Sequence, residues 1–483
     1  MIDRLLPTNN QRRLAWLIGS AFVIAHPTPP AATAGTITGA HNFRIVARLT
    51  GPAGSSSINP TSQVGIGGTD LGHMVNHKGK TYFLFGDTFA DQGPGGADWR
   101  NNAMAYSTDT TPANGITFDG WITRANGTAR QVINPGTQPT TYIPTGAISI
   151  GDKIYAWYMH VSDWSTGWTL SHAGLASWRE GDSQFTTVPN YKFQSLTGGP
   201  YTTDEGRVGG NFGMVAASYR SPLENSGDEH IYIWGTPGGR EGGVKLARVL
   251  PSDIENLSAY RYYDGTFGGV PQWTTNEYAG EKIIPSRAQG GTGVGEMSVM
   301  YNEAVAAWTM MYGTGGPSPD FEIRQAPQPW GPWSDPVRAV DFSQAPGGIY
   351  SPYMNPLYVE DDGKTLYFTM SLWNPYDVYL AKVTLDIAPQ FSADFTGDGL
   401  VSAADLTQWR RDFGANYLSD ADVGGDSDGD DFLQWQRQLG SGPPAIGASA
   451  AIPEPAAAWL AAFSLGAALA ASRPCWQGEP SRV

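Results

Sequence analysis

One pattern recurs five times between residues 40 and 388: a first strand, a turn, an aromatic-rich second strand and a third strand. The second strands, whose starts lie 60 to 76 residues apart, are Tyr82–Phe85, Tyr155–Tyr158, Ile231–Trp234, Ala306–Thr309 and Leu366–Thr369. The third strands are Ala103–Tyr106, Gly174–Ser177, Val244–Ala247, Glu322–Gln325 and Val378–Ala381. A sheet of three or four strands cannot bury both of its faces alone, whereas radial stacking of five such sheets buries them and leaves only short edges. We therefore predict an all-β fold, a five-bladed β-propeller over residues 36–388, and the competing architecture is a two-sheet sandwich in one or two domains.

The geometry of a propeller brings the ends of its strands together in one funnel. The first strand of each blade lines the central channel and the second runs antiparallel beside it, so the start of the first and the end of the second open on one face. Asp70 lies at the start of the first strand of blade 1, Asp87 lies at the end of its partner, and Glu296 lies at the start of blade 4. Carboxylates supply the acid and the base or nucleophile of glycosidic cleavage. Asp70, Asp87 and Glu296 are therefore the candidate catalytic residues.

Aromatic, amide and basic side chains from the other blades are predicted to reach the same funnel, where they suit a sugar. The candidate substrate-binding residues are Asn102, His160, Asn211, Arg240, Tyr353, Trp373 and Tyr376. Structural alternatives stay open, because Asp70 or Asp87 could hold a turn, His160 could be structural, and Glu296 could pair with Arg240 or Arg324. Between the two aspartates we favour Asp70 as base or nucleophile and Asp87 as acid.

Charge and cysteine content exclude several classes of function. The net charge of −15 argues against a nucleic-acid partner, because phosphates require Lys and Arg. The only cysteine is Cys475, so disulfides, cysteine-ligated zinc and a cysteine nucleophile are excluded for the main body. The sequence has no nucleophile elbow, phosphate-binding loop or dinucleotide fingerprint. We expect no cofactor for catalysis.

Six short strings, in this order, resemble a known bacterial propeller family: Gly68–Gly72, Phe85–Phe89, Trp99–Asn102, Gly239–Arg240, Gly295–Ser298 and Ser371–Tyr376. The family was long labelled a domain of unknown function and includes endo-D-arabinanases. The resemblance covers about residues 40–388 and implies a glycoside hydrolase with an acidic pair, Asp70 and Asp87, in its funnel. It implies Glu296 as a third group that binds substrate or adjusts the pKa of the pair.

A second, acidic segment at residues 390–441 contains ten Asp, three Arg and no Glu. Its oxygen-bearing side chains follow the spacing of an EF-hand loop, and the loop recurs 26 residues later with a helix after each copy. The predicted Ca²⁺ ligands are Asp394, Thr396, Asp398, Ser402, Asp405, Asp420, Asp422, Asp428 and Asp431. Two loop–helix repeats without preceding helices resemble a type I dockerin, which implies docking onto a cohesin-like receptor or retention at a surface. Gly424 removes a ligand from the second loop, which we expect to bind Ca²⁺ more weakly than the first.

Residues 1–34 have the pattern of an export signal. Arg12 and Arg13 form a positive region, Leu14–Ala25 is apolar, and Ala32–Ala34 is a small-residue cleavage site. The alternative is a buried N-terminal strand or helix. We predict an exported protein of the cell envelope or the extracellular space.

The C-terminal residues 453–483 resemble the PEP-CTERM sorting signal of bacteria. Pro453–Pro455 precede a 17-residue apolar run, Ala456–Ser472, and then Arg473, after a linker at residues 442–452. The resemblance implies a transmembrane helix, transient tethering to the membrane and removal by an exosortase-type enzyme. A plain C-terminal anchor is the alternative.

The sequence as a whole favours a secreted or envelope-associated glycoside hydrolase that cuts a furanose-rich, arabinan-like or related polysaccharide. It would use carboxylate acid/base chemistry and be displayed through its dockerin-like segment. A non-catalytic carbohydrate-binding propeller and a structural envelope protein are the alternatives.

Overall fold

The computed structural model describes residues 35–136, 141–164, 169–193, 210–221, 224–225, 227–389, 391–396, 400–422 and 424–441. The chain divides after Gln390 into two compact units, which we treat separately. The predicted export signal, linker and sorting signal and the predicted ligand Asp398 lie outside the described residues. Among the described residues, no helix has the length and apolar character needed to cross a membrane.

The first unit consists of five antiparallel sheets. It begins with β1 (Gly35–Arg48), and blade 1 then contains β2 (Gly68–His77), β3 (Lys80–Phe89), β4 (Ala103–Ser107) and β5 (Gly120–Trp121). Blade 2 contains β6 (Thr141–Ile150), β7 (Lys153–Asp163), β8 (Thr169–Trp178) and β9 (Thr186–Thr187). Blade 3 contains β10 (Met214–Ser218), β11 (Ile231–Thr236), β12 (Val244–Val249), β13 (Arg261–Phe267), β14 (Val270–Thr274) and β15 (Lys282–Ile284).

Blades 4 and 5 complete the ring. Blade 4 contains β16 (Met297–Asn302), β17 (Ala307–Gly313), β18 (Phe321–Ala326) and β19 (Val337–Val340). Blade 5 contains β20 (Ile349–Glu360), β21 (Thr365–Trp373) and β22 (Tyr376–Pro389). Short 3₁₀ turns lie at Thr61–Val64, Pro251–Asp253, Leu257–Ala259, Arg287–Gln289, Phe342–Gln344 and Asp361–Gly363.

The prediction of a five-bladed propeller is confirmed by the cyclic order of the inner strands. β2 contacts β6, β6 contacts β10, β10 contacts β16, β16 contacts β20, and β20 contacts β2. One apolar cluster fills each of the five gaps between neighbouring blades, so both faces of every sheet are buried. This arrangement excludes the two-sheet sandwich.

The ring is closed by a strand that the repeat pattern did not reveal. β1 pairs antiparallel with β22, from Gly35 opposite Pro389 to Arg48 opposite Tyr379, and forms the outer edge of blade 5. The first strand of the unit and its last blade are thereby joined, which covers an edge that would otherwise be unpaired. Buried Asp377, on β22, binds both Arg48 and the Thr50 hydroxyl at the end of this closure.

The turns between first and second strands have the residues that their backbone requires. Lys78 and Gly79 connect β2 and β3 with φ of 48° and 77°, the left-handed pair of a tight hairpin. A four-residue turn containing Asp361 and Asp362, at φ of 53° and 55°, connects β20 and β21. Tight hairpins keep each second strand next to its first strand, which sets the register at the strand ends on the opposite face.

The second unit contains, within its described part, α1 (Ala403–Asp412) and α2 (Gly429–Gln438). Both helices begin with a capping box, Ser402 with Asp405 and Asp428 with Asp431. The matching caps reflect the sequence repeat, and they place one buried aspartate in the first turn of each helix.

Candidate active site

A cavity of about 400 Å³ lies at the end of the propeller where β2 begins and β3 ends. All five blades contribute side chains to it. Its lining consists of Asp70, Leu71, Asp87, Phe89, Pro94, Gly95, Trp99, Ile143, Met159, Trp164, Arg240, Glu296, Tyr350, Trp373 and Tyr376.

Asp70 is buried, with 9% of its surface exposed. The Tyr350 hydroxyl donates to its Oδ2 at 3.1 Å, and its buried Oδ1 has no hydrogen-bond partner of good geometry among the described residues. Burial raises the pKa of Asp70 to about 8; the charges of Asp87 and Glu296 add to this rise, and the hydroxyls of Tyr376 and Tyr350 oppose it. The carboxyl group is therefore mainly protonated at neutral pH.

Asp87 has a more polar environment and is only half-buried. Its Oδ1 accepts hydrogen bonds from the Trp99 indole N–H at 2.8 Å and from the Thr141 hydroxyl at 2.7 Å. Burial raises the pKa of Asp87 to about 6, and the hydrogen bonds from Thr141 and Trp99, which favour the charged form, limit that rise. Between pH 6 and pH 8 Asp87 is therefore mainly ionised while Asp70 still carries its proton.

Glu296 lines the cavity as predicted, but both of its carboxylate oxygens are bound by Arg240. Arg324, the other predicted partner, instead donates to the Tyr312 hydroxyl and the Ser334 carbonyl. A carboxylate held bidentately by an arginine is poorly suited to proton transfer. The geometry therefore favours the alternative of an ion pair with Arg240 over proton transfer by Glu296, and the charge of Glu296 contributes to the raised pKa of Asp70.

Two stacked aromatic pairs form the walls of the cavity. Trp373 stacks on Tyr350 with ring centroids 4.5 Å apart, and Trp99 stacks on Phe89 at 6.1 Å. Both tryptophans are partly exposed, at 47% and 44%. Tyr376 lies within about 6 Å of both pairs, 6.0 Å from Phe89 and 6.3 Å from Trp373. Exposed aromatic faces beside carboxyl groups suit the apolar C–H faces of a sugar ring.

Six of the predicted site residues come together in this cavity, namely Asp70, Asp87, Glu296, Arg240, Trp373 and Tyr376. Four predicted substrate-binding residues are not part of its lining, namely Asn102, His160, Asn211 and Tyr353.

Asn102 connects two blades and does not bind in the cavity. It is fully buried, and its Oδ1 accepts from the backbone N–H groups of Val132 and Ile133. Its Nδ2 donates to the carbonyls of Ile133 and Tyr142. All four hydrogen-bonding positions of the amide are thus used by backbone, which leaves none for a substrate.

His160 and Asn211 are likewise occupied within the protein. The Nδ1 of His160 is bonded to the Ser171 hydroxyl, and its ring stacks on Tyr142 at 4.8 Å. The backbone N–H of Asn211 donates to the carboxylate of buried Glu277 at 3.0 Å, and its side-chain amide donates to the same oxygen. The prediction for these two residues relied on strand ends alone, and neither residue is part of the cavity lining.

Tyr353 is 1% exposed and packs edge-on against His73, with ring centroids 4.8 Å apart. It belongs to the apolar cluster of Leu71, Phe89, Ile143, Met159 and Tyr376 with their neighbours, which supports the cavity. Its position corrects the prediction of a direct substrate contact.

The sequence reasoning missed Trp99, Thr141 and Tyr350 as site residues. Thr141 is the first residue of β6, and Tyr350 is the second residue of β20. The rule that selected Asp70 from the start of a first strand would have found both, had it been applied to every polar side chain. Trp99 lies in a loop, and no periodic signal reveals its bond to Asp87.

In the second unit, carboxylate oxygens of Asp420, Asp422 and Asp431 lie within 4.8 Å of one another. An all-oxygen set of this kind suits a hard cation such as Ca²⁺. Asp428 instead caps α2, accepting from the Asp430 backbone N–H at 2.8 Å. Convergent ligands are thus found in the second loop, the one that lacks a side chain at Gly424.

The first loop is described on either side of residues 397–399. Asp405 accepts from the backbone N–H and hydroxyl of Thr396 and from the backbone N–H of Ser402. Ser402 caps α1 through the Ala404 backbone N–H. Asp405 and Asp431 therefore occupy equivalent positions in the two repeats, each buried and each bound to backbone of its own loop.

Comparison with known proteins gives distant relatives in sequence and several solved structures with a similar fold. The chain is 26% identical over 316 residues to an uncharacterized 35.9 kDa protein of Mycolicibacterium smegmatis, which covers 60% of this chain and 89% of the relative.

The solved structures include glycoside hydrolases. An exo-β-1,3-galactanase of Phanerochaete chrysosporium is 12% identical, with a TM-score of 0.41, and the match covers 73% of this chain and 65% of the galactanase. The α-L-arabinofuranosidase of Podospora anserina is 10% identical, with a TM-score of 0.40, over 74% of this chain and 98% of that enzyme. These similarities concern the fold.

The family match covers residues 56–382, which includes all of blades 1 to 4 and most of blade 5. It contains every residue that lines the cavity. The chain therefore belongs to the family described as a domain of unknown function, DUF4185.

Proposed function

We propose that the propeller hydrolyses glycosidic bonds of a furanose-rich, arabinan-like or related polysaccharide by carboxylate acid/base chemistry. The observation that carries the proposal is the contrast between Asp70 and Asp87. Both line one aromatic-walled cavity, and their environments hold one protonated and the other ionised at neutral pH. Two carboxyl groups with separated pKa values are what acid/base cleavage of a glycoside requires.

Asp70 acts as the acid, the reverse of the assignment favoured from the sequence. The Tyr350 hydroxyl donates to Oδ2 of Asp70, whereas Oδ1 is enclosed by protein. The acidic proton of Asp70 passes to the oxygen of the glycosidic bond as that bond breaks, and the leaving sugar departs as an alcohol. The low polarity around Asp70 keeps the proton in place until a substrate oxygen is close enough to receive it.

Asp87 acts as the base or nucleophile. It either removes a proton from a water molecule that attacks the anomeric carbon, or attacks that carbon itself and is later released by water. Trp99 and Thr141 hold its Oδ1 in a fixed direction, which leaves Oδ2 for the reacting group. The Arg240–Glu296 pair, of which Glu296 is buried and Arg240 partly exposed, lines the same cavity and contributes hydrogen-bonding groups to the sugar-binding wall.

The direct test is the release of reducing ends from a panel of polysaccharides that includes arabinans, galactans and xylans. We expect cleavage of at least one furanose-containing polymer by the purified protein, and none by a variant without Asp70. Binding of a polymer without release of reducing ends would replace the hydrolase with the carbohydrate-binding alternative. If the protein neither binds nor cleaves any polymer of the panel, both the hydrolase and the carbohydrate-binding alternative are wrong.

The rate is expected to follow a bell-shaped pH profile with its maximum near neutral pH. Activity is lost as pH falls through about 6, because Asp87 becomes protonated, and as pH rises through about 8, because Asp70 loses its proton. Thr141→Val removes a hydrogen bond that lowers the pKa of Asp87. This variant should therefore shift the acid limb of the profile to higher pH and leave the alkaline limb in place. The measurement is kcat/KM from pH 4 to 10, and a profile without a limb near pH 8 contradicts the role of Asp70.

A second candidate function, for residues 391–441, is calcium-dependent docking to a cohesin-like receptor. It is favoured by the convergent carboxylates of Asp420, Asp422 and Asp431 and by exposed apolar side chains on the same unit. The most exposed are Phe413 at 52%, Tyr417 at 69%, Leu418 at 66% and Leu439 at 53%. Large apolar side chains left exposed on a small acidic unit are available for contact with a partner protein. Pull-down with a cohesin panel in Ca²⁺ and in chelator tests it, and equal capture in both conditions contradicts it.

We further propose export, transient tethering at the cell envelope and removal of the C-terminal segment by an exosortase-type enzyme. Cys475 follows the Pro453–Pro455 motif and the apolar run, so processing at that motif removes the only thiol of the chain. Mass spectrometry of the protein purified from its native envelope should detect neither a free thiol nor peptides from residues 456–483. Recovery of those peptides contradicts processing.

A further inference from the structure

The carboxyl group of Asp70 is presented by an unusual stretch of backbone in β2. The next two residues, Leu71 and Gly72, have φ of 66° and 76°, inside a strand whose other residues pair regularly with β3. The register shifts on both sides of Leu71 and forms a bulge. A left-handed conformation is unfavourable for leucine, so it persists only where its surroundings hold it. Bulges next to functional sites change the direction of a neighbouring side chain, here that of Asp70.

Close packing leaves Asp70 little freedom once the bulge is formed. A Cβ placed on Gly86, in the facing strand, would lie 2.4 Å from Asp70 Oδ1 and 2.8 Å from a Leu71 methyl carbon. A Cβ on Gly72 would lie 2.7 Å from a methyl carbon of Val378 in blade 5. The absence of side chains at these two glycines is what allows the bulge to press against both neighbouring strands.

Two hydroxyl groups from the adjacent blade hold the two sides of this bulge. The Ser371 Oγ accepts from the Leu71 backbone N–H at 2.8 Å, and the Thr369 hydroxyl donates to the Gly72 carbonyl at 2.9 Å. Both side chains are fully buried. Residues two apart in a strand share a face, so β21 directs both hydroxyls toward blade 1, while Met370 on its other face packs into the gap with blade 4.

We propose that Thr369 and Ser371 are positioning residues for Asp70, which set the conformation of the bulge and hence the direction in which the acid delivers its proton. The inference rests on the proposed function only in naming that proton transfer. The two hydroxyls replace ladder bonds that the shifted register removes, and they connect blade 5 to the acid of blade 1. Neither residue lines the cavity, so their effect is exerted through Leu71, Gly72 and Asp70.

The test compares Ser371→Ala and Thr369→Val with Thr365→Val in the full-length protein. Thr365 is a matched control, because it is a buried hydroxyl on the same strand that is bonded at 3.1 Å to Thr384 within blade 5. For Ser371→Ala and Thr369→Val we expect kcat to fall about ten- to a hundredfold with KM changed less than about twofold, since misplacing a reacting group reduces rate more than binding. Thr365→Val should retain kcat, and Thr369→Ser, which keeps the hydroxyl, should restore it.

A second readout follows Asp70 itself and does not require activity. The titration of its carboxyl carbon is measured by ¹³C NMR of aspartate-labelled protein, with the signal assigned by its loss in Asp70→Asn. In Ser371→Ala and Thr369→Val we expect this titration to move to lower pH as the bulge relaxes and the carboxyl gains contact with water, and to stay in place in Thr365→Val. The charged and titratable groups around Asp70 that stay constant in this comparison are Asp87, Glu296, Arg240, Tyr350 and Tyr376.

The two readouts distinguish the possible failures. If the wild-type protein cleaves no polymer, the proposed hydrolase is wrong, and the titration alone decides the positioning role. If the variants keep both the wild-type kcat and the wild-type titration of Asp70, the positioning role is overturned while hydrolysis stands. If Ser371→Ala, Thr369→Val and the control Thr365→Val all lose activity in parallel with their melting temperature, the two hydroxyls only stabilise the fold. That result also overturns the positioning role.

Discussion

Replacing Asp70 or Asp87 by asparagine is expected to reduce glycan hydrolysis by about 10² to 10⁴-fold while the propeller stays folded. Asparagine has nearly the shape of aspartate but can neither give up nor accept the transferred proton. Both residues lie at strand ends in the cavity and outside the packed gaps between blades, so we expect a stability change of about 1 kcal/mol or less at pH 4, where the titration of neither group contributes much. The measurement is turnover on a cleaved polymer together with a melting curve for each variant.

The pH dependence of stability gives an independent check on Asp70. Its pKa is raised on folding from 3.8 to about 8, so the stabilising contribution of the protonated group is complete below pH 4 and is lost as pH rises through 8. Asp70→Asn removes this dependence. The variant should therefore be closest to the wild type at pH 4 and below, and should melt at a higher temperature than the wild type at pH 9.

Near-native turnover in both asparagine variants would place the chemistry elsewhere or exclude it. Unfolding of either variant at pH 4 would instead support the alternative in which the aspartates only hold turns. Glu296→Gln is a poor control for this experiment, because it removes the negative charge that pairs with the partly buried guanidinium of Arg240. Breaking this ion pair is expected to lower stability as well as change the cavity, which confounds activity with stability.

Removal of Ca²⁺ is expected to unfold the helical unit, residues 391–441, and to leave the propeller intact. Ten aspartates in residues 390–441 repel one another unless a cation neutralises them, so the free energy of binding becomes free energy of folding. At a Ca²⁺ concentration 100 times Kd the gain is about 2.7 kcal/mol, a large share of the stability of so small a unit. Hydrogen exchange of the full-length protein in Ca²⁺ and in chelator, resolved by peptide, provides the measurement.

Asp422→Asn and Asp430→Asn form a matched pair for that experiment. Asp422 converges with Asp420 and Asp431, whereas Asp430 is an exposed residue of the first turn of α2 outside the ligand spacing. Both changes remove one negative charge from the same loop. We expect only Asp422→Asn to raise the Ca²⁺ concentration needed for protection. Equal exchange with and without Ca²⁺ in the unchanged protein would refute the calcium proposal.

Much of the propeller could be predicted from local pattern. Each of the five predicted second strands lies within or overlaps an observed one, from Tyr82–Phe85 in β3 to Leu366–Thr369 in β21. The pattern did not reveal β1, whose partner β22 lies more than 300 residues away, nor the extra hairpin of β13 and β14 in blade 3. Local alternation reports that a segment is a strand, whereas its partner depends on how the ring closes.

The residues of the candidate site also differ in how far local sequence pattern could predict them. Asp70 and Asp87 could be placed together from the sequence because a tight hairpin joins their strands, and hairpin register is a local property. Asn102 and His160 could not be assigned correctly, since their hydrogen bonds go to residues of the next blade or the next strand that the pattern does not identify.

The sequence by itself determined the number and order of the blades and the presence of two carboxyl groups at one end of blade 1. Only the tertiary structure distinguishes the environments of these two carboxyl groups. Tyr350, Trp99 and Thr141 come from three different parts of the chain, and together with burial they give Asp70 and Asp87 different pKa values. The physical reason is that desolvation and hydrogen bonding depend on distances in space between residues far apart in the chain, whereas strand periodicity depends only on neighbours.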